Sequence, residues 1–154
     1  MILEVTVDSI TSMLTAIKAG ADRIELCSAL NLGGLTPSYG LIKKANEVKK
    51  TMELNDIEIF VLIRPRSGDF LYDEYEFETM KEDISVVKEM DIDGIVTGVL
   101  LSDGRIDIDR MRELVEVANP LKVVFHRAFD DAKDPIEYVD KLIDMGICRI
   151  LTSG

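Results

Sequence analysis

Short apolar runs alternate along the chain with longer segments in which apolar residues recur at i, i+3, i+4 and i+7. Runs that are apolar on both faces predict buried strands, and the longer segments predict helices packed against them. Six strands are predicted: Ile2–Val7, Arg23–Cys27, the run from Ile59 that stops at Arg64, Gly94–Leu100, Lys122–Arg127 and Cys148–Ser153.

Five helices are predicted between these strands. Asp8 or Ser9 caps the first, Thr36–Pro37 begins the second, Asp73 caps the third, Asn119–Pro120 ends the fourth, and Asp134–Pro135 begins the fifth. Gly20 and Gly146 follow the first and fifth helices, as glycine does at many helix ends. The fifth helix is expected to bury Ile136, Val139 and Ile143.

This alternation predicts a parallel sheet with right-handed crossovers. The chain carries neither the glycine fingerprint of dinucleotide-binding folds nor a Walker A sequence. Polar residues that end successive strands are instead typical of a TIM (β/α)8 barrel, which needs eight βα units where this chain supplies about six. The sequence therefore predicts an incomplete TIM-type barrel, with residues 1–154 forming one partial domain without a linker.

Composition limits the partners. The 154 residues carry a net charge of −11, which argues against nucleic acid or an anionic membrane surface as a partner. A small anion held by a local arginine cluster stays open. No secretory signal and no apolar run of about 18 residues is found, and two cysteines suit a reducing compartment, so a cytoplasmic location is predicted.

Chemistry-bearing side chains are expected at the carboxyl ends of the strands, where TIM barrels place their sites. The residues at these ends are Glu4, Glu25, Arg64, His126 and Ser153. Glu4, Glu25 and His126 could form an acid–base set. The alternative is that the two glutamates are interior charges paired with Arg64, and that His126 is a satisfied core histidine.

Arginines beside these ends suggest a site for a small anionic or phosphorylated metabolite. Arg64, Arg66 and Asp69 follow the third strand, Arg127 follows His126, and Ser153 ends the sixth strand. Adjacent guanidinium groups are suited to binding anions. The alternative is that both Arg64 and Arg66 pair with the many carboxylates of the chain.

The two cysteines are expected at opposite ends of the barrel. Cys27 ends the second strand and Cys148 begins the sixth, so they should lie ~13 Å apart along the strand direction and cannot share a metal. A small buried apolar residue is the favoured interpretation of Cys148, and for Cys27 this interpretation stays open beside a functional one.

Five sequence blocks together resemble the CutC family. They are A-G-A-D-R-I-E-L-C-S-A-L at 19–30, G-G-L-T-P-S-Y-G at 33–40, I-R-P-R-S-G-D-F-L-Y at 63–72, F-H-R-A-F-D at 125–130 and L-T-S-G at 151–154. The resemblance implies a (β/α)8-type barrel, a cytoplasmic homo-oligomer, and a role in copper homeostasis with a thiol-based Cu(I) site. Thr6 stands where family members often have cysteine, and the family continues beyond Gly154.

Three hypotheses about function follow. The chain handles copper, with Cys27 as a Cu(I) ligand; or it is a barrel enzyme acting on a small anionic metabolite; or it is a fragment without independent activity. Unpaired first and sixth strands would favour the third hypothesis, because open sheet edges pair with other chains.

Overall fold

The structure, a computed structural model, describes residues 1–153. Six parallel strands form one sheet in chain order: β1 Glu4–Val7, β2 Arg23–Leu26, β3 Glu58–Leu62, β4 Gly94–Thr97, β5 Lys122–Phe125 and β6 Ile147–Ile150. The sheet is not closed, so β1 and β6 are its edges. The predicted α/β fold, a partial TIM-type barrel with six parallel strands, is confirmed.

Helices connect the strands. They are α1 Ile10–Lys18, α2 Tyr39–Thr51, α3 Glu74–Lys88, α4 Ile108–Ala118, α5 Ala128–Asp131 and α6 Val139–Asp144, with single 3-10 turns at Leu30–Leu32 and Pro135–Tyr138. Ser9 and Asp73 cap α1 and α3, as predicted. The side chain of each accepts the backbone N–H of the residue three positions later, and its own backbone N–H donates to that residue's side chain, which completes a capping box. No helix in residues 1–153 has the length and apolarity to cross a membrane.

The second helix begins later than predicted. Its N-cap is Ser38, whose side chain accepts from the backbone N–H of Leu41. The hydroxyl of Thr36 cannot cap because it accepts the backbone N–H of Arg64 at 2.9 Å, and the Thr36 N–H donates to the carbonyl of Arg64. Thr36 therefore extends the pairing beyond β3 instead of starting α2.

The prediction of which residues the fifth helix buries is wrong. Residues 135–138 form a 3-10 turn before α6, and the three-residue period of that turn shifts the apolar positions out of phase with the sheet. Ile136 and Ile143 are 75% and 61% exposed, whereas Leu142 is buried. The short helix α5 was not predicted.

The sheet has two apolar faces. Its outer face packs against the helices and forms the larger core. Its inner face carries a smaller buried cluster of Cys27, Phe60, Leu62, Val96 and Val124. Side chains alternate between the faces along each strand, so residues two positions apart share the inner face and point toward the partial barrel's interior.

Candidate functional site

A cavity of about 220 Å³ opens at the carboxyl end of the sheet. Its lining comes from every strand end except that of β4: Thr6, Glu25, Leu30, Gly33, Leu62, Arg64, Phe70, His126, Arg127 and Leu151. The position agrees with the placement of ligand sites in TIM-type barrels. The structure thus brings four of the predicted site residues, Glu25, Arg64, His126 and Arg127, to one cavity.

Glu25 is the buried carboxyl group of this cavity. It lies on the inner face of β2, is 5% exposed, and forms no ion pair with any described residue. Burial raises the pKa of Glu25 to about 7, and repulsion from Glu4 adds to this, while Arg149 and a hydrogen bond from Thr6 oppose it. Near neutral pH this carboxyl group can both take up and give up a proton.

His126 follows β5 and is 4% exposed. Its Nδ1 accepts the backbone N–H of Ala128 at 3.1 Å, so the ring carries its proton on Nε2. Burial, with the charge of Arg64 second, lowers the pKa of His126 to about 3, which keeps the imidazole neutral. The buried Nε2 has no hydrogen-bond partner among residues 1–153.

Arg64 holds the loops around the cavity. Its guanidinium donates to the carbonyls of Leu32 at 3.1 Å, Gly34 at 3.0 Å and Gly68 at 2.6 Å. Arg64 is 6% exposed and forms no ion pair with any described carboxylate, so it is a buried positive charge satisfied by carbonyl dipoles. The alternative in which Arg64 pairs with Glu4 and Glu25 is therefore wrong.

Phe70 packs against both the Arg64 guanidinium and the neutral His126 ring. Its ring lies 5.0 Å from the Arg64 guanidinium carbon and 4.6 Å from the His126 ring centroid. Close by, the Arg64 Nε and the Tyr72 hydroxyl are buried without hydrogen-bond partners, and burial raises the pKa of Tyr72 to about 12. The sequence analysis missed Phe70, because an aromatic residue in a turn carries no signature of a binding site.

Replacing Arg64 with methionine should destabilise the protein by about 3 kcal/mol, because three buried carbonyls lose a charged donor. The loop 29–34 should loosen most, since two of those carbonyls belong to it. Hydrogen exchange of the Gly33 and Gly34 amides measures this. Arg112→Met on the exposed side of α4 is the control, and equal exchange in both variants would contradict the role of Arg64.

Arg66 and Asp69 lie outside the cavity lining. Arg66 pairs with Asp69 at 2.9 Å and with Glu76 at 2.6 Å, and its remaining donors go to backbone carbonyls of the same turn. These bonds stabilise the turn after β3 and leave few guanidinium N–H donors of Arg66 free to bind a ligand. The prediction that Arg66 and Asp69 bind an anion is not supported by this placement.

Arg127 and Ser153 meet at Asp130, a residue that the sequence analysis did not single out. Arg127 donates to Asp130 at 3.0 Å, and the Ser153 amide donates to it at 3.0 Å. A hydrogen bond from Thr152, followed by that from Arg127, lowers the pKa of Asp130 to about 2. Asp130 thus ties the chain after β6 to the rim of the cavity, and Arg127 lines the cavity while Ser153 does not.

Glu4 lies at the opposite end of the sheet from the position predicted. It is the first residue of β1, where it pairs with Arg149 at 2.7 Å and Arg23 at 3.4 Å. The first strand was predicted to begin at Ile2, whereas β1 begins at Glu4, so the prediction placed Glu4 further along the strand than it lies. A network of glutamate and arginine forms at this amino end, with Arg23 and Arg149 in place of Arg64. The guanidinium carbons of Arg23 and Arg149 lie 5.3 and 4.8 Å from the centroid of the Phe60 ring.

The surroundings of Cys27 do not fit a Cu(I) site. The thiol is fully buried in the inner apolar cluster, and its Sγ lies 3.5 Å from the carbonyl of Val7. Burial raises the pKa of Cys27 to about 12, with Glu25 and Asp8 contributing, so the thiol stays protonated. Residues 1–153 contain no group of three or more His, Cys, Asp or Glu side chains that could hold a metal.

Cys148 is exposed, so its interpretation as a buried apolar residue is wrong. It is the second residue of β6, whereas Cys27 follows the last residue of β2. The two thiols therefore sit at opposite ends of the sheet, as the sequence predicts.

Comparison with known proteins identifies the family. The sequence matches the model of the CutC family over residues 1–154. The chain belongs to the CutC family. Its fold matches the crystal structure of a CutC protein from Streptococcus agalactiae with a TM-score of 0.90 and 38% identity, covering 100% of this chain and 73% of that one.

Two CutC relatives carry copper homeostasis in their names. The Dictyostelium discoideum copper homeostasis protein cutC homolog is 53% identical, with 98% of this chain and 62% of that protein covered. The human homolog of the same name is 47% identical, with 99% and 54% covered. A CutC protein of Vibrio vulnificus is 47% identical, with 99% and 59% covered. The chain thus spans less than two thirds of these relatives.

Proposed function

We propose that this chain contributes a binding site for a small polar or anionic metabolite, formed by Glu25, Arg64 and His126. The observation that carries the proposal is His126, a residue of the cavity lining whose buried Nε2 has no hydrogen-bond partner in residues 1–153, beside a buried carboxyl group without an ion pair. Buried polar groups are nearly always hydrogen-bonded, so this donor calls for a partner, either a water molecule or an oxygen atom of a ligand.

Charge supports a ligand with an anionic or carbonyl oxygen. Arg64 is buried without a carboxylate partner among the described residues, whereas the charge of Arg127 at the rim is paired with Asp130. The two terminal nitrogens of Arg64 already donate to backbone carbonyls. Arg64 would therefore act on a ligand through its positive electrostatic potential and through the loop conformation that it stabilises. His126 is the neutral donor and Glu25 the group that accepts or gives a proton.

The cavity limits the size of the enclosed part of a ligand. The cavity has a volume of about 220 Å³ and opens at the carboxyl end of the sheet. A compound of three or four carbons fits inside it, and a larger ligand would extend through the opening. Because this chain spans only part of its relatives, the proposal concerns the groups that residues 1–153 supply.

Thermal melts test the proposal. Pyruvate, lactate, oxalate, hydroxyacetone and inorganic phosphate are added singly at millimolar concentration, and at least one should raise the melting temperature by several degrees. The shift should vanish in His126→Asn and persist in Cys148→Ser, which changes an exposed thiol. A panel without shifts, or shifts unchanged in His126→Asn, would contradict the proposal.

Cu(I) binding by Cys27 is the second candidate, and the names of the relatives favour it. In competition with bicinchoninate, we expect the chain and its Cys27→Ser variant to retain the same amount of Cu(I), because a thiol with a pKa near 12 does not become a thiolate ligand at neutral pH. Cys148→Ser controls for the exposed thiol. One equivalent of Cu(I) that disappears in Cys27→Ser would show that Cys27 is a ligand after all.

A further inference from the structure

The orientation of His126 defines the chemistry it can offer. The backbone N–H of Ala128 occupies Nδ1, so a ligand can meet only the Nε2–H donor. A close approach by β4 helps to hold this ring, because a Cβ at Gly98 would lie 2.7 Å from both Nδ1 and Cε1. A neutral imidazole N–H of this kind polarises a carbonyl oxygen without giving up its proton in the ground state.

Glu25 approaches the same cavity from another strand. β2 and β5 are separated by two strands of the sheet, and Glu25 from β2 and His126 after β5 both line the cavity. No described cation pairs with the Glu25 carboxyl, and Thr6 is its hydrogen-bond partner. A carboxyl group held this way can reach a carbon atom of a bound ligand as a base.

The lining also restricts the reaction class. Among the described residues that line the cavity there is no lysine, cysteine or serine, and the hydroxyl of Thr6 is hydrogen-bonded to Glu25. Cys27 is fully buried behind the lining, with its Sγ at the carbonyl of Val7. What remains is a proton-accepting carboxyl group, a neutral hydrogen-bond donor and a positive field.

We propose that Glu25 and His126 catalyse proton transfer at a carbon next to the carbonyl of a small carbonyl compound, an inference that rests on the proposed binding site. Glu25, as the carboxylate, takes the proton and the C–H bond breaks. The electron pair forms a C=C bond, and the carbonyl π pair moves to the oxygen, which accepts the Nε2–H hydrogen bond of His126. The proton on Glu25 exchanges with solvent, and its return from Glu25 to the same carbon, with the oxygen electron pair re-forming the carbonyl, completes the hydrogen exchange.

This step needs no co-reactant. The charge that develops on the oxygen lies near Arg64, whose field stabilises it. Arg64 is therefore a positioning and electrostatic residue, whereas Glu25 and His126 touch the reacting atoms. Keto acids and hydroxyketones of three or four carbons are the substrate class that this arrangement selects.

Exchange of carbon-bound hydrogen in D₂O tests the inference. Pyruvate and hydroxyacetone are incubated with the chain, and ¹H NMR follows the loss of their signals next to the carbonyl. We expect exchange at least tenfold above that in buffer for one of the two compounds. Glu25→Gln should reduce the rate at least tenfold, His126→Asn should reduce it similarly, and Cys148→Ser should leave it unchanged.

The outcomes separate the inference from the proposed site. A compound that raises the melting temperature but exchanges no faster than in buffer leaves the binding site standing and overturns the inference. Exchange that is unchanged in Glu25→Gln also overturns it, provided that this variant melts like the parent chain. If neither compound exchanges but another compound of the melting panel gives a shift that depends on His126, the inference fails and the binding site stands. If no compound of the panel gives a shift and neither compound exchanges, both fail.

Discussion

Replacing Gly94 with alanine is expected to destabilise the protein by about 3 kcal/mol, the upper end of what overpacking costs. A Cβ at this position would lie 2.6 Å from the Lys122 carbonyl oxygen and closer still to Cε1 of Phe60. The Phe60 ring is fully buried and in contact with the guanidinium groups of Arg23 and Arg149, so it has little freedom to move. Urea unfolding of the two proteins measures the difference.

Gly40→Ala is the matched control for this prediction. Gly40 lies in α2, and a Cβ there would meet nothing within 4 Å. We expect this variant to be unchanged or stabilised by up to about 1 kcal/mol, because alanine favours the helix more than glycine does. Adding Phe60→Leu to Gly94→Ala should recover part of the loss. Equal stability of the Gly94 and Gly40 variants would contradict the close packing of β3 against β4.

Glu25→Gln is expected to remove a pH-dependent loss of stability. The pKa of Glu25 rises from 4.5 to about 7 on folding, so the folded state holds its proton more tightly than the unfolded state. The resulting stabilisation is fully present below pH 4.5 and is lost as the pH rises through 7. Between pH 5 and pH 8 the contribution of Glu25 to the stability of the parent chain should fall by about 2.5 kcal/mol.

The pH dependence of stability must be compared between the parent chain and Glu25→Gln, because titration of His126 changes stability with pH in the opposite direction. Its pKa is lowered on folding, so its contribution is lost as the pH falls through its folded value. Subtracting the urea-derived stability of Glu25→Gln at each pH isolates the carboxyl group, and Glu47→Gln on exposed α2 is the control. Parallel pH curves for the parent chain and Glu25→Gln would show that Glu25 does not titrate near neutral pH.

The fold followed from the sequence because its strands are apolar on both faces and end at clear signals. Gly20 takes a φ of 98° after α1, and Asp73 caps α3, as their sequence contexts predict. The fifth helix failed because a 3-10 turn changes the period of the apolar positions. Pro135 marks the turn, but the sequence does not say how far the turn continues before α6 begins.

The site was harder to predict because it depends on the phase of strands and on loop conformation. Glu25 and Glu4 look alike in sequence, yet a shift of two residues in β1 places Glu4 at the far end. Arg64 ends its strand as expected, but its carbonyl partners exist only because Gly33 and Gly34 adopt positive φ angles that bring the loop back over β3. Spacing in sequence carries neither of these facts.

The cytoplasmic location and the homo-oligomer implied by the family resemblance stay predictions. The names of the relatives are the evidence for a role in copper homeostasis. The thiol of Cys27 is buried and protonated, and the described residues contain no group of side chains that could hold a metal. The cavity at the carboxyl end is the feature on which the functional account depends.

One histidine makes a direct measurement possible, because its imidazole gives a single set of nitrogen signals. Long-range ¹H–¹⁵N NMR of His126 should show Nε2 protonated and Nδ1 unprotonated from pH 8 down to pH 4.5. Adding pyruvate or oxalate should shift the Nε2 signal as the donor finds its acceptor. An imidazole that titrates near its ordinary pKa of 6.5, or an Nε2 signal that neither compound shifts, would contradict the site.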